Sequence, residues 1–84
     1  MKNGIIQLNL AVAFLPDAGG ELGRVVSREI EGQQIKTNQQ GVYCVVCRVR
    51  GSDFNWCPVA PVGVSIPWSN IAVIIYDEDV EVDV

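Results

Sequence analysis

Alternation of side-chain type with a period of two runs through this chain and directs it toward β-structure. Residues 42–50, VYCVVCRVR, are the clearest case, because β-branched residues and Tyr43 favour a pleated, half-buried surface. On a strand, Tyr43, Val45, Cys47 and Val49 share one face. Val42, Cys44, Val46, Arg48 and Arg50 share the other, which is apolar at its start and basic at its end. Residues 5–15, IIQLNLAVAFL, likewise put Ile6, Leu8, Leu10, Val12 and Phe14 on one face and Gln7 and Asn9 on the other. Pro16-Asp17-Ala18-Gly19-Gly20 then supplies strong turn chemistry.

The remaining segments vary in clarity. Residues 21–31 read as a strand, with a short helix as the alternative, since Leu22, Val25, Val26 and Ile30 also sit at helical spacing. Residues 32–41, GQQIKTNQQG, are polar with Gly at both ends and are expected to form a loop or a hairpin tip around Lys36-Thr37-Asn38. Gly51 to Asn55 is a turn. Pro58, Pro61 and Pro67 restrict the segment 59–67 to a short or edge strand, because proline cannot donate to a ladder. Residues 71–76, IAVIIY, are apolar on both faces, as buried or interface strands are. Residues 1–76 therefore read as one small β domain, and residues 77–84 as an acidic tail or charged edge strand.

Composition adds a constraint. Hydrophobic residues make up 49% of the 84, with a mean hydropathy of +0.24. A domain this short buries only about 60% of its unfolded surface. Its apolar surplus is expected to meet either a second copy in a homo-oligomer or another partner. The net charge of -4 divides unevenly: residues 1–76 carry six basic and five acidic side chains, whereas Asp77, Glu78, Asp79, Glu81 and Asp83 follow. A near-neutral body lacks the basic footprint of a nucleic-acid binder. Lys2 ahead of the apolar run 5–15 has some likeness to a signal peptide, but Gln7 and Asn9 break it at strand spacing. With no membrane-length apolar run and three cysteines that suggest free thiols, a cytoplasmic location is expected.

Five short strands suggest a small barrel or a β-sandwich. The segment Val64-Ser65-Ile66-Pro67-Trp68-Ser69-Asn70-Ile71-Ala72-Val73-Ile74 consists of a strand, a tight turn and another apolar strand. It resembles the corner between the fourth and fifth strands of SH3-like and Sm-like small barrels, which is turned by a 3₁₀ helix. The resemblance implies a five-stranded SH3-like fold. It names no function, since such folds serve many tasks.

Catalytic sets do not assemble. Cys44-Val45-Val46-Cys47 is a CxxC, but its spacer is strand-like, so the two thiols point to opposite faces. No cofactor is expected. Ser27, Ser52, Ser65 and Ser69 have no His as a base, and the glycines at 19, 20 and 23 lack the Lys-Ser/Thr ending of a phosphate loop. The binding candidates are aromatic and charged: Phe54 and Trp56 in the turn, Trp68 at the corner, Arg48 and Arg50 on one strand face, and Asp77, Glu78 and Asp79 in the tail. Two functions follow. One is a non-catalytic protein-interaction module, of the kind phage and plasmid genomes use as accessory inhibitors of host or defence factors. The other is a homo-oligomeric binder of a small anionic ligand such as a nucleotide, with Arg48, Arg50, Trp56 and residues 32–41 lining a site between subunits.

Overall fold

Each alternating segment becomes a strand in the computed structural model, which describes residues 2–16, 24–51 and 53–77. The strands are β1 (Lys2–Phe14), β2 (Val25–Thr37), β3 (Gly41–Arg50), β4 (Trp56–Pro67) and β5 (Ile71–Tyr76), with a 3₁₀ turn at Trp68–Asn70 between β4 and β5. They form one antiparallel sheet in the order β4-β3-β2-β1-β5. The expected mostly β fold is therefore present, as an open five-stranded sheet rather than a closed barrel.

The core takes Ile6, Leu8 and Phe14 from β1, Ile30 and Ile35 from β2, Val42, Cys44, Val46 and Val49 from β3, and Val59 and Ile66 from β4. Three irregularities decide which residues reach it, because one extra residue moves every later side chain to the opposite face. In β2 the extra residue falls between the pairs Gln33↔Val45 and Lys36↔Tyr43, where Gln34 takes a left-handed φ of 54°; Gly32 and Ile35 both point inward as a result. In β3, Cys47 is the extra residue between Val46↔Gly32 and Arg48↔Glu31, so inward positions pass from Val46 to Val49. In β1, the strand runs from Gln7 to Val12 while β2 moves only from Glu29 to Ser27.

These irregularities correct several expectations. Leu10 is 69% exposed and Val12 lies at the surface, because β1 leaves the ladder between its two pairings. The helix alternative for residues 21–31 fails from Val25 onward, where Ile30 and Glu31 pair with Val49 and Arg48; residues 21–23 lie outside the described residues. Of the loop or hairpin tip expected at 32–41, the hairpin tip is present, but it is confined to Asn38–Gln40 and the strand runs as far as Thr37. That turn is wired by Asn38, whose Oδ1 accepts from the Gln40 and Gly41 amides at 2.8 and 3.0 Å. β4 is an edge strand as its prolines required, although it is longer than expected and begins at Trp56.

Candidate functional site

The sheet curls so that β4 approaches the far end of β1. The Ala60 amide donates to the Leu15 carbonyl at 3.0 Å, and Pro16 bridges to Val59. Farther along, the Leu10 amide donates to Asn70 Oδ1 at 2.7 Å, and Asn9 Nδ2 donates to the Ser69 carbonyl at 3.0 Å. Between these two ties β1 and β4 stand apart, and an apolar groove runs along the gap. Its larger part, about 360 Å³, lies between Val12–Leu15 and Ala60–Val64. A continuation of about 310 Å³ passes Leu8 and Ser65 toward Asn70.

Two properties set this groove apart. None of its described lining residues carries an ionisable side chain. Its walls are also strands paired on one side only: Val12–Phe14 pair with β2, and β4 pairs with β3. The backbone on the groove side is therefore open to an incoming strand. Pro61 and Pro67 remove donors from the β4 wall, which leaves the β1 wall as the better ladder. Leu15, 66% exposed, and Val62 add apolar surface at the rim. The signal available in the sequence was the unbroken apolar run Leu10-Ala-Val-Ala-Phe-Leu15, apolar on both strand faces.

The residues singled out from the sequence lie elsewhere, and they do not form one site. Arg48 and Arg50 do share the outer face, but each meets a carboxylate of β2. Arg48 makes a two-pronged contact with Glu31, Nη2 to Oε1 at 2.7 Å and Nε to Oε2. That hydrogen bonding holds the Glu31 carboxyl below its usual pKa and raises that of Arg48. Arg50 Nε lies 3.3 Å from Glu29 Oε2, close enough for an ion pair but without the alignment of a hydrogen bond. Its guanidinium stacks 5.0 Å from the Trp56 ring centre.

Trp56 is thus half-buried in the first position of β4, opposite Arg50, and not in the turn. Phe54 is 77% exposed at the tip of the β3–β4 hairpin, with a left-handed φ of 63°. The turn beneath it is held by Gly51 N–H to the Asn55 carbonyl and by Phe54 N–H to the Gly51 carbonyl. The Asn55 amide caps Asp53 Oδ1, which lowers the Asp53 pKa. Trp68 sits at the opposite end of β4 in the 3₁₀ turn, exposed, with its indole tied to Asn38. Within one chain the turn of residues 32–41 meets the end of β3 opposite Arg50. Asp77 is exposed and its amide donates to the Asn3 carbonyl at 2.8 Å; Glu78 and Asp79 lie outside the described residues.

The thiols are separated by depth. Cys44 is fully buried, and burial pushes its pKa up to about 11. Cys47 and Cys57 are half-buried and free. Among the described residues no helix is long and apolar enough to cross a membrane. No protein family, curated protein or solved structure matches this chain.

Proposed function

We propose that the chain is a non-catalytic protein-interaction module that receives an extended apolar segment of another protein in the groove between β1 and β4. The observation that carries this reading is the groove itself, with uncharged apolar walls and open strand edges at Val12–Phe14 and along β4. Extended peptides bind such places by adding a strand: main-chain hydrogen bonds supply affinity, and alternate side chains supply specificity. The strand order and the 3₁₀ turn between β4 and β5 support an SH3-like reading of the fold. That fold hosts too many tasks to choose among them, so the functional reading rests on the groove.

The alternative, a homo-oligomeric binder of a small anionic ligand, draws less support. Glu31 and Glu29 already neutralise the two arginines that would hold the anion.

Panning a random peptide library on the immobilised protein tests the proposal. Enriched peptides should share an apolar, uncharged stretch, and binding should be lost in Val62→Arg while Arg48→Met leaves it intact. Enrichment of acidic peptides, or binding lost through Arg48→Met and kept in Val62→Arg, would overturn it.

A further inference from the structure

We infer that β5 pairs with β5 of a second copy of this chain, antiparallel and about a two-fold axis. This surface is separate from the groove, so the two proposals stand or fall independently. The sheet ends in two strands, β4 and β5, and they are unlike. Pro58, Pro61 and Pro67 interrupt the donors of β4, and the Pro16–Val59 bridge covers part of it. β5 has no proline, no charge and no partner on its outer side among the described residues.

The hydrogen-bond phase of β5 is fixed by its end. The Asp77 amide donates to Asn3 of β1. Antiparallel ladders alternate, so Ile75 and Val73 also address β1, and the amides and carbonyls of Ile74 and Tyr76 point outward. A two-fold centred on Ile74 lets Ile74 exchange hydrogen bonds with its own counterpart, and Tyr76 with Ala72 of the other copy. The same register brings Val73 beside Ile75 of the second copy. These two, 45% and 51% exposed, are the most exposed large hydrophobics of the strand.

Charge selects the orientation. The strand is neutral and ends at Asp77, the first of five acidic residues in the last eight. A parallel pairing would set Asp77 beside its own copy, whereas the antiparallel one sets it opposite Ile71. Area selects the strength. A single strand of this length offers well under the ~800 Å² per partner of a standard stable interface. The dimer is accordingly weak and concentration-dependent.

Amide exchange on the unmodified protein gives the first test. The Ile74 and Tyr76 amides should exchange quickly at micromolar concentration and become protected at millimolar concentration, as light scattering rises toward the dimer mass. Ile75→Lys and Val73→Asp, both at exposed positions, should each give a folded monomer by circular dichroism. Mixing the two variants should restore a dimer, because the introduced ammonium of one chain would meet the introduced carboxylate of the other. A monomer at every concentration would overturn the inference. So would a dimer whose Ile74 and Tyr76 amides stay unprotected.

Discussion

The indole Nε1 of Trp68 donates a hydrogen bond to the backbone carbonyl of Asn38 at 2.8 Å, joining the 3₁₀ turn to the tip of the β2–β3 hairpin. Asn38 is itself the organiser of that tip, so one residue couples two distant turns. Trp68→Phe keeps most of the ring and removes the donor. The expected loss is about 1 kcal/mol, the usual net value of one hydrogen bond, read as a lower urea midpoint with an unchanged slope.

Ser27 is the one buried polar residue among the described core positions. Its Oγ accepts from the Glu29 amide at 3.0 Å and sits 2.6 Å from the Arg50 carbonyl. It thereby fastens β2 to the end of β3 where the ladder weakens. Ser27→Ala leaves that carbonyl without its partner and should destabilise the fold by about 1–3 kcal/mol. Ser27→Thr, which keeps the hydroxyl, should recover part of the loss in the same denaturation assay.

The Arg48–Glu31 contact makes stability depend on acid. The folded pKa of Glu31 lies below its ordinary 4.5, mainly through the hydrogen bonds from Arg48. The pair therefore stabilises the fold fully above pH 4.5, and its contribution disappears as the pH falls through the lowered value. Arg48→Met should flatten this acid limb and raise the Glu31 midpoint in a carbon-detected NMR titration. An unmoved midpoint would mean that the pair does not form in solution.

Cys44 acts at the other end of the pH scale. Its folded pKa, about 11, exceeds the ordinary 9.0 because burial disfavours the thiolate. Its burial stabilises the fold fully below pH 9, and that contribution is lost as the pH rises toward 11. In the native state a thiol reagent should label Cys47 and Cys57 well before Cys44, as peptide mass mapping would show. Equal labelling rates would mean that the core at Cys44 opens readily.

Much of the fold could be read from pattern alone. The alternation in VYCVVCRVR places Val42, Cys44 and Val46 in the core, and the segment around Trp68 does form a corner between two strands. The errors fall where the period of two breaks. Cys47 and Gln34 each add a residue to a ladder, and no local propensity marks either position. Residues 33–37 look like a loop because, of these five side chains, only Ile35 is buried. The arginines look available because their carboxylate partners, Glu29 and Glu31, lie on another strand. The groove was hidden for a related reason, since its walls come from distant parts of the chain and meet only after the sheet curls.

Gly41 opens β3 opposite Pro67, and a Cβ there would strike the Ile66 carbonyl and crowd Pro67 Cα at 2.9 Å. Gly41→Ala should cost about 1–3 kcal/mol, as overpacking against backbone does. Gly63→Ala should be milder, because the atom it meets is the hydroxyl end of the exposed Tyr43 side chain. Urea denaturation of the two variants side by side checks the order.

The register of β1 has a consequence for synthesis. Gly4 pairs with Tyr76, so the first strand waits for the last. A nascent chain on the ribosome can assemble the hairpins of β2, β3 and β4 early, while one flank of β1 stays bare until β5 emerges. Long-range pairing of this sort slows folding and prolongs exposure to misassembly. A translational pause ahead of Ile71 should therefore increase the demand for chaperones.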